Sequence, residues 1–199
     1  MLQHVRPAVV MMALFTLLLG LAYPLAMTGA AGLLFPHEAG GSLVRDGSGQ
    51  VIGSALLAQG FAKPEYLHPR PSAAGNGYDP TSSAGSNLGP MDQHLIDRVK
   101  GDAANLRKDA GGLPIPADAV TTSGSGLDPD ISPANARMQA ARIAEARGVP
   151  AAEVQALLDA HTVGALLGFI GEPRVNVFET NRALDARFPV AQPVVHPKA

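Results

Sequence analysis

AVVMMALFTLLLGLAYPLAM, residues 8–27, decides the layout of this 199-residue chain. It lies inside a run from Pro7 to His37 that contains no Asp, Glu, Lys or Arg. A helix rises about 1.5 Å per residue, so about 20 apolar residues cross a hydrocarbon layer about 30 Å thick. Pro7 falls in the first turn, where its missing N–H is no loss. Pro24 comes late, where its ring kinks the regular helix or ends it; both Gly20 and Pro24 are tolerated in membrane helices. The competing reading is a cleaved signal peptide, with Arg6 as its basic start and Thr28, Gly29, Ala30 and Ala31 imitating a cleavage site. The apolar run is longer than a signal core and continues through Leu33, Leu34 and Phe35, which favours a retained anchor. Arg6 precedes the span and Glu38, Arg45 and Asp46 follow it, so the positive-inside rule puts the N-terminus in the cytoplasm. The expected organisation is therefore residues 1–6 cytoplasmic, 7–35 membrane helix and exit, 38–188 an extracytoplasmic domain, and 189–199 a tail with three prolines, loosely held.

Composition narrows the function. Lys+Arg total 15 and Asp+Glu 17, a net charge of −2, without the clustered basic face that a nucleic-acid binder needs. Apolar residues make up 46%, too many for a disordered chain, while 22 Gly and 17 Pro promise many turns and a modest core. Cysteine is absent, which removes disulfides, thiolate metal sites and a cysteine nucleophile.

Beyond the anchor, Asp46-Gly-Ser-Gly49 between Ser42–Arg45 and Gln50–Ala55 has hairpin chemistry. Phe61 to Pro90 is a long aperiodic stretch with five prolines, a length of loop that tends to be functional. Pro90 fits the first helical position ahead of an apolar stripe of Met91, Leu95, Ile96, Val99, Ala103 and Leu106, with Gly111-Gly112 ending the helix. Asp118 to Ile131 is a second loop. Ser132-Pro133 opens a helix closed by Gly148, and Val149-Pro150 restarts one through Val154, Leu157 and Leu158. Leu166, Leu167, Phe169 and Ile170 are too short a run to span a membrane and read as core. Val175–Phe178 is a strand candidate and Glu179–Arg187 a last helix. The sum is an α+β domain with a small sheet, three to four helices and long ordered loops, without the strand–helix alternation of a doubly wound sheet.

Catalytic motifs are missing. No lysine follows a glycine, so there is no phosphate-cradling P-loop, and no Asp-Lys-Thr segment offers an aspartyl-phosphate. Thr122-Ser-Gly-Ser-Gly126 resembles a nucleophile elbow, but position 123 is Ser where Gly-x-Ser-x-Gly needs Gly, and no base is placed beside Ser125. The six histidines show no i,i+4 pair, and Asp128-Pro-Asp130 reads as an Asx turn rather than a cation loop. His161, near a helix end, reads as a cap. Polar residues that converge if the loops do are Arg70, Tyr78, Asp79, Asn87, Ser125, Asp128, Arg174 and Asn176. Such a surface suits binding a partner better than catalysis. A membrane-anchored binding domain or serine hydrolase acting alone remains the alternative.

Several blocks together resemble the C subunit of the Kdp potassium-transporting ATPase. They are Arg6-Pro-Ala8, Gly53-Ser-Ala-Leu-Leu-Ala-Gln59-Gly-Phe61, Arg70-Pro-Ser-Ala73, Tyr78-Asp79, Gly85-Ser-Asn-Leu-Gly-Pro90, Ser123-Gly-Ser-Gly-Leu-Asp-Pro129 with Ile131-Ser-Pro133, and Gly171-Glu-Pro-Arg-Val-Asn-Val177 followed by Asn181 and Ala183-Leu184. The resemblance implies a non-enzymatic subunit in a bacterial inner membrane. Its partners would be a channel-like potassium-translocating subunit, a P-type ATPase subunit and a small helical subunit. It also implies a role in assembly and as a catalytic chaperone raising the ATPase subunit's affinity for ATP. The resemblance also implies a glutamine linked to nucleotide, for which Gln59 and Gln139 are the two candidates. Small residues Gly20, Ala22 and Ala26 would let the membrane helix approach its neighbours closely.

Overall fold

The computed structural model describes residues 2–108 and 110–190. The chain divides into two compact units, Met1–Ser54 and Ala55–Ala199. The expected loose tail of residues 189–199 falls, from 191 onward, outside the described residues.

The first unit is dominated by one apolar helix, Val5–Leu34, with mean hydropathy 2.2 in its most apolar window and none of that window buried in the protein. Thirty helical residues reach about 45 Å, enough to span a bilayer with some tilt. The helix does not end at Pro24. It runs as α1 (Val5–Leu17), a π turn (Leu18–Ala22) and α2 (Tyr23–Leu34). In the π turn the Tyr23 N–H reaches back five residues to Leu18 O. That wider turn shifts the hydrogen-bond frame directly ahead of Pro24, whose ring would otherwise meet the Gly20 carbonyl and whose missing N–H would leave a gap. Next come α3 (Pro36–Ala39) and the antiparallel hairpin of β1 (Leu43–Arg45) and β2 (Val51–Ser54). Asp46 closes that hairpin: its Oδ1 accepts from Ser48 N, Ser48 Oγ and Gln50 N at 2.6–3.0 Å. The Ser48 hydroxyl and then the Gln50 amide hold its carboxyl below the usual aspartate range.

The second unit holds α4 (Gln93–Leu106), β3 (Asp130–Ile131), α5 (Pro133–Arg147), α6 (Ala151–Ala160), β4 (Thr162–Val163), β5 (Arg174–Asn176) and α7 (Val177–Arg187). The sheet order is β3-β5-β4, antiparallel throughout. With four α-helices and short strands among the described residues, the architecture is α+β. The core lies where α5, α6 and α7 meet β3 and β5; Leu67, Ile131, Ile143, Val154, Leu158, Val175 and Leu184 are all but sealed from solvent. Ser132 caps α5 by accepting from Asn135 N at 3.1 Å, and Gly148 at φ +66° ends it.

Four expectations need correction. Helix α4 starts at Gln93 rather than Pro90, because the Asp92 carboxylate caps it by accepting from His94 N at 2.8 Å. Its stripe of Leu95, Ile96, Val99, Ala103 and Leu106 is half-buried while Met91 is exposed, and the helix ends at Leu106 before the glycine pair. Strand β5 stops at Asn176, whose side chain accepts from Glu179 N and so starts α7 at Val177. Finally, Leu166, Leu167, Phe169 and Ile170 are not core: all four are exposed, in a tight turn closed by paired bonds between Leu166 and Ile170.

Candidate functional site

The two long loops of the second unit cross. Arg70, from the first, donates to Asp128 Oδ2 at 3.0 Å and reaches Thr121 O and Thr122 O at 3.4 Å in the second. Ser72 Oγ donates to Gly126 O at 2.6 Å and accepts from the N–H groups of Ala74 and Tyr78. Ala84 N and Ser83 Oγ both donate to Ser125 O. Gly126 sits at φ +68°, and a Cβ there would fall 2.5 Å from Ala84 O, so the crossing requires glycine. Tyr78 also has left-handed backbone; its hydroxyl donates to Arg70 O at 2.8 Å, and burial pushes its phenol above the usual tyrosine range.

Two open grooves flank this crossing and share Arg70 and Asp128. One, of about 700 Å³, is lined by Leu56, Leu57, Pro80, Ser83, Ser123 to Ser125 and Leu127. The other, of about 430 Å³, adds Asp118, Asp130, Glu172 and Arg174. Arg174 pairs with Asp130 at 3.0 Å. Burial raises the Asp130 carboxyl, and Arg174 opposes that shift. Asp128 Oδ1 accepts from Asp130 N, the Asx turn that the sequence suggests. Asp118 accepts from Ser132 N, Ser132 Oγ and Asn135 Nδ2, which fixes the second groove to the start of α5.

The structure thus brings together Arg70, Ser125, Asp128 and Arg174. Asn176 lies beside them, donating to Ala55 O while capping α7. Asp79 is turned to Thr81, whose N–H and hydroxyl hold its carboxyl below the usual range. Asn87 is exposed at φ +52° and lines neither groove; Gly20, Ala22 and Ala26 belong to the first unit. Ser125 Oγ accepts from Leu127 N and lies 3.4 Å from Ser123 Oγ, and its groove has no histidine in its lining. The four or more acid, thiol or imidazole ligands of a metal centre do not gather anywhere among the described residues, where not even three do.

Beneath the crossing, α5 and α7 hold the first loop by side-chain amides. Asn181 accepts from Leu67 N at 2.7 Å and donates to Leu67 O at 2.9 Å. Gln139 does the same to His68, at 2.8 and 3.1 Å, while also donating to Asn135 and accepting from Arg142. Both lone pairs and both protons of the Gln139 amide are therefore in use. Arg147, its side chain fully buried, donates to Glu65 O, Phe188 O and Asp185 and stacks 5.3 Å from the Tyr66 ring. Gln59 is half-buried in the segment preceding this loop. Sequence reasoning gave no role to Asn135, Asn181 or Arg147. The signal for Asn135 was an amide set four residues before Gln139, on a helix face otherwise made of Ala136, Ala140 and Ile143; nothing local marked Asn181 or Arg147.

The family model described as "K+-transporting ATPase, c chain" matches residues 5–186. A Caulobacter vibrioides protein named potassium-transporting ATPase KdpC subunit is 67% identical over 189 residues, 95% of this chain and 96% of its own length. Proteins of the same name from Beijerinckia indica and Koribacter versatilis are 56% and 48% identical, each across 97% of this chain. With the matched region running from the apolar helix through α7, the chain belongs to the KdpC family of potassium-transporting ATPase subunits.

Proposed function

We propose that this chain is the non-catalytic accessory subunit of a high-affinity, ATP-driven potassium uptake complex. It supports assembly and acts as a catalytic chaperone that raises the ATP affinity of a P-type ATPase subunit. Its partners are that subunit, a channel-like potassium-translocating subunit and a small helical subunit. The complex sits in the bacterial inner membrane, with this chain's N-terminus in the cytoplasm and its second unit outside. Gly20, Ala22 and Ala26 provide the close helix approach, and the Arg70–Asp128 crossing with Arg174 presents a polar docking surface.

One observation carries this reading: Arg70, Asp128 and Ser125, which line the grooves, are already bonded to one another or to loop backbone. Such a surface is stiff and preorganised, which favours partner binding over proton transfer. An extracytoplasmic domain does not reach cytoplasmic ATP. Its effect on ATP affinity then travels through the membrane subunits, by contacts that differ between two conformational states.

The test is purification in mild detergent from the native host grown in low potassium. Co-purification of a polytopic subunit and a P-type ATPase, with potassium-stimulated ATPase activity, is the expected result. Recovery of this chain alone and folded overturns the proposal. A Ser83→Cys variant labelled only from the cytoplasmic side overturns the topology.

A further inference from the structure

Residues 162–171, Thr-Val-Gly-Ala-Leu-Leu-Gly-Phe-Ile-Gly, carry no charge. After β4 they close a tight turn in which Leu166 and Ile170 each donate to the other's carbonyl at 2.9 Å. Phe169 N and Gly168 N are bonded within the turn as well, so four backbone N–H groups hold the tip in one shape. Leu167 and Phe169 at the tip are each 77% exposed, and Val163, Leu166 and Ile170 are exposed beside them. Leu167 stands at φ +55°, a backbone that disfavours any side chain with a Cβ. A glycine would relieve that strain, yet the position holds a large apolar residue.

We infer that this turn is an apolar plug that seats in a neutral, apolar socket on another protein subunit of the same complex. The inference rests on the complex membership proposed above. Three arguments choose this occupant. The five side chains expose on the order of 500 Å² of apolar surface, the size of the largest patch on a whole soluble monomer and usually a contact surface. Two such tips facing each other would bury about 1,000 Å² at most, short of the roughly 1,200 Å² of a stable interface, which argues against a second copy of this chain. Lipid-surface segments favour basic flanks, whereas here Asp159 precedes the turn and Glu172 and Arg174 after it cancel. A bilayer also takes apolar groups in any orientation and gives no reason to hold a leucine in left-handed backbone. A shaped socket does, because a strained, fixed tip loses little freedom on binding. Charge depletion with an aromatic residue at the centre is the composition of an interface core.

The absence of native cysteine makes the test direct. A Phe169→Cys full-length chain, co-expressed with its complex in the native host, is labelled in membranes with benzophenone maleimide and illuminated. A covalent adduct with another subunit, identified by mass spectrometry, is expected. An adduct with lipid alone, an adduct with a second copy of this chain, or no adduct at a position that stays reactive to a water-soluble maleimide each overturns the inference. In parallel, Leu167→Asn with Phe169→Ser should reduce co-purified partner by about tenfold or more, the loss typical of a buried anchor, with the variant chain's thermal unfolding no lower than that of the unaltered chain. Partner recovery at the native level overturns the inference. If the unaltered chain brings down no partner, complex membership falls as well; if it does and only the tip tests fail, the plug alone is wrong.

Discussion

Residues 61–90 hold five prolines and scattered Gly, Ser and Asn, and yet Leu67 among them has no exposed surface. Residues 162–171 hold five large apolar side chains and no charge, and yet those side chains are exposed. The difference lies in what the neighbouring helices offer. Helices α5 and α7 present Gln139, Asn181, Arg142 and Arg147, whose polar atoms replace the ladder that an irregular backbone lacks. A buried backbone group left unpaired costs about 1–3 kcal/mol, so those amides are what let the loop enter the core. The turn at 166–170 is closed by bonds of its own backbone, and among the described residues no apolar face covers its side chains. Apolarity sets the demand for burial, and the geometry of partners decides whether the demand is met within this chain.

The largest expected effect tests the first half of the comparison. Leu67→Ala should lower the unfolding free energy by about 3 kcal/mol, through lost transfer energy and an unfilled cavity beneath α5 and α7. The same truncation at Phe169 removes more carbon atoms and should change it by less than about 0.5 kcal/mol. Chemical unfolding of the detergent-solubilised chain, followed by circular dichroism, measures both. Equal losses at the two sites would break the contrast.

Next in size is Gln139→Ala. It strips His68 of both amide partners and leaves Arg142 and Asn135 each one bond short, for an expected loss of about 2–3 kcal/mol. The outcome also separates two roles for this glutamine. As a clasp, its removal shifts the unfolding curve, and any change in ATP dependence of the complex follows from that. As a nucleotide contact, its removal would change ATP dependence while the unfolding curve stays in place.

Much of this was legible in the sequence. The apolar span followed from one uncharged run, the caps Ser132 and Gly148 from local chemistry, and the Asp46 hairpin from its turn residues. Those features are contiguous in the chain: the span is one unbroken run, and the caps and the hairpin are each determined within about five residues. The crossing of the loops was legible only as a set of polar candidates, because Arg70 and Asp128 are 58 residues apart and nothing in either segment names the other. The burial of Leu67 depends on an asparagine 114 residues away. The exposure of residues 166–170 was misread because a short apolar run looks the same whether its cover is in the chain or outside it.

Leu167→Gly sharpens the second half of the comparison. The substitution keeps the turn and removes the conflict between Cβ and left-handed backbone, so the isolated chain should gain about 1 kcal/mol. Ordinary truncations destabilise; a gain here would mark strain retained at an exposed position. A loss would mean that the Leu167 side chain already packs within the chain.

The smallest effect concerns the polar ties themselves. The Tyr78 hydroxyl donates to Arg70 O, so Tyr78→Phe should cost about 1 kcal/mol near neutral pH. Burial raises the folded-state phenol above its ordinary value of 10.0. Between that value and the raised one, the folded chain keeps a proton that the unfolded chain has lost, so native stability falls as pH rises through this window. The phenylalanine variant lacks that proton and its slope. The gap between the two proteins should therefore narrow as pH climbs above 10, while Tyr66, raised first by burial and then by Asp185, contributes alike to both. A gap that stays constant would mean that the Tyr78 ring is wet, and that this end of the loop is held by its backbone ties to Ser72 rather than by a buried phenol.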